Sequence, residues 1–145
     1  MKLTWDEYFL NIAQAVARRS NCTRRQIGAL VVLEGRIVST GYNGTPRGVK
    51  NCNEGGCARC AGDAASGTAL DTCWCSHAEE NTITQAAYHG ISVKRGTLYT
   101  TMSPCITCSK LIINAGIEVV KYCGDYPQNS ADLLEQGRVR LEKLA

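Results

Sequence analysis

No stretch of the sequence is apolar for long enough to cross a bilayer, and residues 1–7, MKLTWDE, hold no apolar signal core. A cytoplasmic, intracellular protein with no membrane partner is therefore expected. Charge of one sign is not in large excess either. The net charge of +3 suits a small phosphorylated ligand and falls short of the strongly basic balance of many nucleic-acid binders. Aromatics are scarce. Trp5, Phe9, Trp74 and six tyrosines are thin material for stacking on a single strand or a flipped base, so a nucleic-acid partner ranks low. No internal repeat and no linker is visible, and 145 residues predict one domain, 1–145, with room for a core.

What the chain has in excess is cysteine. Nine thiols occupy positions 22, 52, 57, 60, 73, 75, 105, 108 and 123. In a reducing compartment, C-x-x-C and C-x-C spacings read as metal ligands more readily than as disulfides, and an odd number argues against full pairing. Residues 49–75 hold five of these cysteines, four glycines and no sustained period. A loop this long inside a compact domain needs a staple, and metal is the expected one.

The remaining segments show regular periods. Thr4 and Glu7 form a capping box, and apolar residues recur at helical spacing from Trp5 to about Ser20. Residues 26–33 and 36–41 are β-rich runs separated by Glu34-Gly35, which predicts a tight hairpin whose strands are covered on both faces. A shaped loop, GYNGTPRG, follows at 41–48. A second helix is expected from Ser76 to about His89, with Ser76 and Glu79 in capping-box register. That register competes with any chemical role for Glu79. A short strand at 97–101 precedes a helix capped by Ser103 with Pro104 in its first position. A strand at 117–123, a short helix at 131–136 and an edge strand at 139–141 complete the order. Helices between the later strands imply an α/β sandwich with a mixed sheet.

His77 and Glu79 begin the second helix, and Cys105 and Cys108 begin the third. One imidazole and two thiolates give a zinc ion three protein ligands, and a fourth position is left for water, as in catalytic sites. Glu79 would then carry a proton between that water, a ring nitrogen and a leaving amine. H-x-E followed by P-C-x-x-C is the signature of zinc deaminases acting on nucleobases.

With His77-Ala78-Glu79-x-Asn81, Ser103-Pro104-Cys105-x-x-Cys108 and Gly41-Tyr42-Asn43-Gly44-Thr45-Pro46 in view, the chain resembles the deoxycytidylate (dCMP) deaminases. The resemblance implies a cytidine deaminase-like three-layer α/β/α sandwich with a five-stranded mixed sheet. It also implies zinc-dependent hydrolysis of dCMP to dUMP, a homo-oligomer (hexamer or dimer), and regulation by dCTP and dTTP. A dual dCMP/dCTP deaminase and, lower, a nucleic-acid-editing deaminase are the alternatives. His77, Cys105 and Cys108 match the zinc ligands and Glu79 the proton shuttle. Asn43, Ala78, Asn81, Ser103 and Tyr126 match substrate positions. Glu80 departs from the family's commoner Leu and is expected to point away from the zinc. Arg24, with Arg25 and Arg47, is a candidate for the phosphate. Some relatives carry a structural zinc at the positions of Cys22, Cys52 and Cys75. Here Cys57, Cys60 and Cys73 add three thiols. One zinc on those three plus one extra is the simpler arrangement, and two zinc ions sharing all six is the other. Cys123 is expected to be an inert buried thiol.

Overall fold

The computed structural model describes residues 1–127 and 129–144. In chain order the elements are α1 (Trp5–Ala17), β1 (Gly28–Leu33), β2 (Arg36–Tyr42), α2 (Ala58–Ala61), α3 (Ala78–Tyr88), β3 (Thr97–Thr100), α4 (Ile106–Asn114), β4 (Val119–Tyr122), α5 (Ala131–Gln136) and β5 (Arg140–Lys143). Short 3₁₀ turns at Cys52–Glu54 and Leu70–Thr72 punctuate the cysteine-rich loop. The sheet order is β2-β1-β3-β4-β5. β1 runs antiparallel to β2 and β3, and β3, β4 and β5 run parallel. The expected mixed five-stranded sheet is present.

Alternation along β1 builds both cores. Leu30 and Val32 join Phe9, Ala13 and Tyr99 beneath α1. Ala29 and Val31 join Ala78, Leu98, Ile112, Val120 and Leu134 on the opposite face, which α3, α4 and α5 cover. Two glycines set how closely the helices lie. A Cβ on Gly28 would stand 2.5 Å from the Ala17 nitrogen of α1, and one on Gly41 would stand 2.5 Å from the Thr82 nitrogen of α3. Each face of the sheet thus has one point where only a hydrogen fits.

Several expectations need correction. α1 ends at Ala17, because Arg18, Arg19 and Ser20 bond back three residues and the Ser20 hydroxyl donates to the Asn43 carbonyl at 2.6 Å. β2 is an edge strand whose burial alternates, so only β1 is covered on both faces. The hairpin turn is as tight as expected, with Glu34 and Gly35 both at positive φ. α3 is capped at His77, whose amide donates to the Glu80 carboxylate at 2.8 Å. Glu80 is therefore the capping carboxylate and Glu79 is not. Nor does Glu80 point away, since its Oε1 lies 3.9 Å from His77 Nδ1. α4 begins after Cys105, two residues later than expected, because the Ser103 hydroxyl accepts from the Tyr126 amide instead of capping. Among the described residues, no helix is long and apolar enough to cross a membrane.

Candidate active site

The capping residue of α3 is His77 and that of α4 is Cys105. Both helices cover the same face of the sheet, so their N-termini meet. His77 Nδ1 stands 3.3 Å from the sulfurs of both Cys105 and Cys108. The three donor atoms all lie within 4.8 Å of one another. A tetrahedral zinc with bonds of about 2.0 Å to nitrogen and about 2.3 Å to sulfur has N···S edges of about 3.5 Å. The donor set fits such an ion with small adjustment and keeps a fourth position open.

The helix ends assist. The Cys108 amide donates to the Cys105 sulfur at 3.4 Å, and N-terminal partial charge favours thiolate. A hydrogen bond from the Cys108 thiol, joined by one from His77, holds Cys105 down to about 4. The Cys105 sulfur in turn pushes His77 up to about 9 against its burial. The triad therefore carries protons that an arriving metal must displace.

Glu79 lies in the first turn of α3 and is 4 % exposed. Burial pushes its carboxyl up to about 7, against the pull of His77. A dication alongside acts in the opposite sense and favours the carboxylate. Glu79 is the one acid lining a cavity of about 230 Å³, among the described residues. His77, Cys105, Asn43, Ser103 and Tyr126 share that lining.

The other predicted site residues divide. Asn43 faces the cavity, but its amide bridges two backbone groups, accepting from Ile27 at 2.8 Å and donating to Arg25 at 2.9 Å. Ser103 and Tyr126 are tied together on the wall by a 2.8 Å bond. Ala78 is wholly buried behind the site, in the core. Asn81 lies elsewhere, donating to the Tyr42 carbonyl at 2.8 Å and lining a separate depression. Arg24 reaches the cavity, yet its guanidinium is spent on the carbonyls of Cys60, Gly62 and Ala64. Arg25 stands over the Tyr126 ring and donates to Met102 Sδ and Ser66 Oγ. Arg47 is remote, stacked on Tyr88 at 4.1 Å. Cys123 is half-buried and its thiol donates to the Thr101 carbonyl. All nine cysteines are free thiols, and Cys22 joins the five cysteines of residues 49–75 in one cluster.

Arg59 also lines the cavity and was not singled out in the sequence. Its position between Cys57 and Cys60 was the available signal, because a cation flanked by metal ligands goes wherever they are anchored.

A family model described as the cytidine and deoxycytidylate deaminase zinc-binding region matches residues 3–124. The chain belongs to this deaminase family. It is 44% identical over 142 residues to a deoxycytidylate deaminase of Schizosaccharomyces pombe, covering 97% of this chain and 44% of that protein. It is 45% identical over 127 residues to one of Saccharomyces cerevisiae, covering 87% of this chain and 39% of that protein. The chain thus spans less than half the length of these two curated relatives. The dCMP deaminase of cyanophage S-TIM5, solved in complex with dCMP and dUMP, superposes with a TM-score of 0.81 at 34% identity, with 99% of both chains covered. The matched residues 3–124 span both the His77/Cys105/Cys108 donor group and Glu79.

Proposed function

We propose that this deaminase-family chain hydrolyses the 4-amino group of dCMP, giving dUMP and ammonia. One observation carries the reading. A single cavity is lined by His77 and Cys105 of the His77/Cys105/Cys108 donor set and by the buried Glu79, with the guanidinium-bearing residues Arg24, Arg25 and Arg59 in the same lining. Polar chemistry for a base and cationic chemistry for a phosphate thus share one pocket. The naming of the relatives, and the dCMP and dUMP bound in the cyanophage enzyme, support the substrate.

A zinc ion held by His77, Cys105 and Cys108 would supply the Lewis acidity that makes water nucleophilic near neutral pH. The protein's own part is proton transfer and placement. Deamination adds water at C4 of the pyrimidine and expels ammonia, so protons must pass from water to the ring nitrogen and then to the amine. Glu79 is the carboxyl placed to move them. Asn43, fixed at both ends by backbone, presents a rigid wall. Arg25 is the cation for the phosphate, because its present partners, a thioether and an exposed hydroxyl, are weaker than a phosphate oxygen.

A dual dCMP/dCTP activity is the second reading, supported by Arg24 and Arg59 beside Arg25 in the lining, two further cations that in this structure hold loop carbonyls. Regulation by dCTP and dTTP and assembly into a homo-oligomer enter through the family resemblance. Sedimentation with and without each nucleotide tests both. The activity test is incubation of purified protein with dCMP, dCTP, cytidine and a deaminable oligonucleotide, followed by absorbance. Loss of the amino group from dCMP is expected. Turnover of the oligonucleotide alone overturns the reading.

A further inference from the structure

The cysteine cluster is built as two overlapping four-sulfur sites. Cys22, Cys52, Cys60 and Cys75 form one group and Cys57, Cys60, Cys73 and Cys75 the other, and within each group the sulfurs all lie within 4.8 Å of one another. Cys60 and Cys75 belong to both. The S···S separations include 4.0 Å for Cys22–Cys60, 3.7 Å for Cys57–Cys73, 3.8 Å for Cys60–Cys73 and 3.9 Å for Cys60–Cys75. A zinc ion with four sulfurs at about 2.3 Å has tetrahedral edges of about 3.8 Å. The shared Cys60–Cys75 pair has the length of an edge common to two such tetrahedra. We infer that the loop holds two zinc ions, bridged by the thiolates of Cys60 and Cys75. Cys22 and Cys52 complete one ion's shell, and Cys57 and Cys73 complete the other's.

Four further observations support two ions over one. The cluster contains no apolar side chain other than cysteine, so hydrocarbon packing does not explain why six thiols converge. A single four-thiolate ion would leave two thiols packed against its ligands with no role, and the two sets of four satisfy the same geometric limit. Outer donors also reach both ends. The Trp74 amide donates to Cys57 Sγ at 3.3 Å, and the Thr23 hydroxyl lies 3.8 Å from Cys52 Sγ. Six thiolates around two dications leave a net negative charge. Arg24, on the carbonyls of Cys60, Gly62 and Ala64, and Arg59, on those of Ala65 and Thr68, place two cations on the same loop.

The cluster does not depend on which nucleotide the enzyme takes. It bears on the cavity all the same, because Cys22, Cys60, Cys73 and Cys75 line it and Cys75 precedes His77 by two residues. Ser76 between them pairs with Gly44. The bridged ions would therefore fix one wall of the pocket and the approach to the catalytic imidazole.

Native mass spectrometry of the full chain, purified without chelator, tests the count. Three zinc ions per chain are expected, falling to two in the double variant Cys57→Ser/Cys73→Ser and also to two in His77→Ala. Two ions in the unaltered chain, unchanged by the double substitution, overturn the inference. Should the double variant fail to fold, alkylation of the unaltered holoprotein decides. All six cluster thiols are expected to resist iodoacetamide until chelator is added, and rapid labelling of Cys57 and Cys73 refutes the bridged pair.

Discussion

At the scale of single residues, two adjacent acids have separate tasks. Glu79 faces the cavity and Glu80 caps the start of α3, so one helical turn holds both the acid proposed for proton transfer and the acid that fixes the helix end. Glu79→Gln keeps the size and loses the exchangeable proton. Its turnover is expected to fall by about 10²–10⁴-fold, with zinc content unchanged by metal analysis. A variant that turns over normally would place the proton transfer elsewhere. Glu80→Ala is expected to cost about 1 kcal/mol of stability, read in a denaturant melt of the zinc-loaded protein. The spacing S-x-x-E at Ser76 and Glu79 could not disclose this division. Glu80 stands at the same spacing from His77, a residue type that does not advertise a cap, and only the backbone turn at His77 chooses between them.

Elements were more legible than their ends. The hairpin, the parallel strands and α5 follow from alternation, turn chemistry and helical period, and the structure places them within a few residues of expectation. Two of the misplaced ends share a cause, a side chain taken by a distant partner. Ser103 turns to Tyr126 and Ser20 to Asn43, so neither ends a helix as its residue type suggests. The same limit hid the bracing role of Asn43, whose amide is the strut between two backbone segments. Helix-on-sheet distance is likewise invisible in the sequence, since Gly28 and Gly41 read as ordinary strand glycines. Gly28→Ala is expected to cost about 3 kcal/mol, because the methyl would meet the backbone of α1. Chemical denaturation measures it, and an unchanged midpoint would mean that α1 can lift off the sheet at little cost.

At the scale of the whole molecule, a small polar knot holds α1 to the sheet. Asp6 accepts from Tyr99 at 2.5 Å and from Lys121 at 2.8 Å, joining α1, β3 and β4. Burial pushes the Asp6 carboxyl up, but the bonds from Lys121 and Tyr99 outweigh it and hold the group below its ordinary value. Its contribution is present above about pH 4 and is lost as the pH falls through the lowered value. Burial, then the bond to Asp6, raises the Tyr99 phenol. That contribution is present below about pH 10 and fades as the pH rises beyond it. Asp6→Asn is expected to cost about 1 kcal/mol or less at pH 7, since water screens so exposed a carboxylate. It should also flatten both the acid and alkaline limbs of a stability profile, and limbs as steep as the parent's would assign them to other groups.

Metal removal acts on the same scale. The region from 49 to 75 has thiols in place of a hydrocarbon core, so chelation is expected to unfold it before the sheet, seen as early proteolytic cuts there under limited trypsin. Equal protection with and without chelator would mean that the loop stands without metal.

Trp74 sits between Cys73 and Cys75, is 64% exposed, and gives its amide to a sulfur. Its indole is therefore an optical gauge wired to the cluster by nature. With Trp5→Phe removing the other emitter, fluorescence from this one ring would follow occupancy of the loop in real time, independently of whether any nucleotide is being consumed.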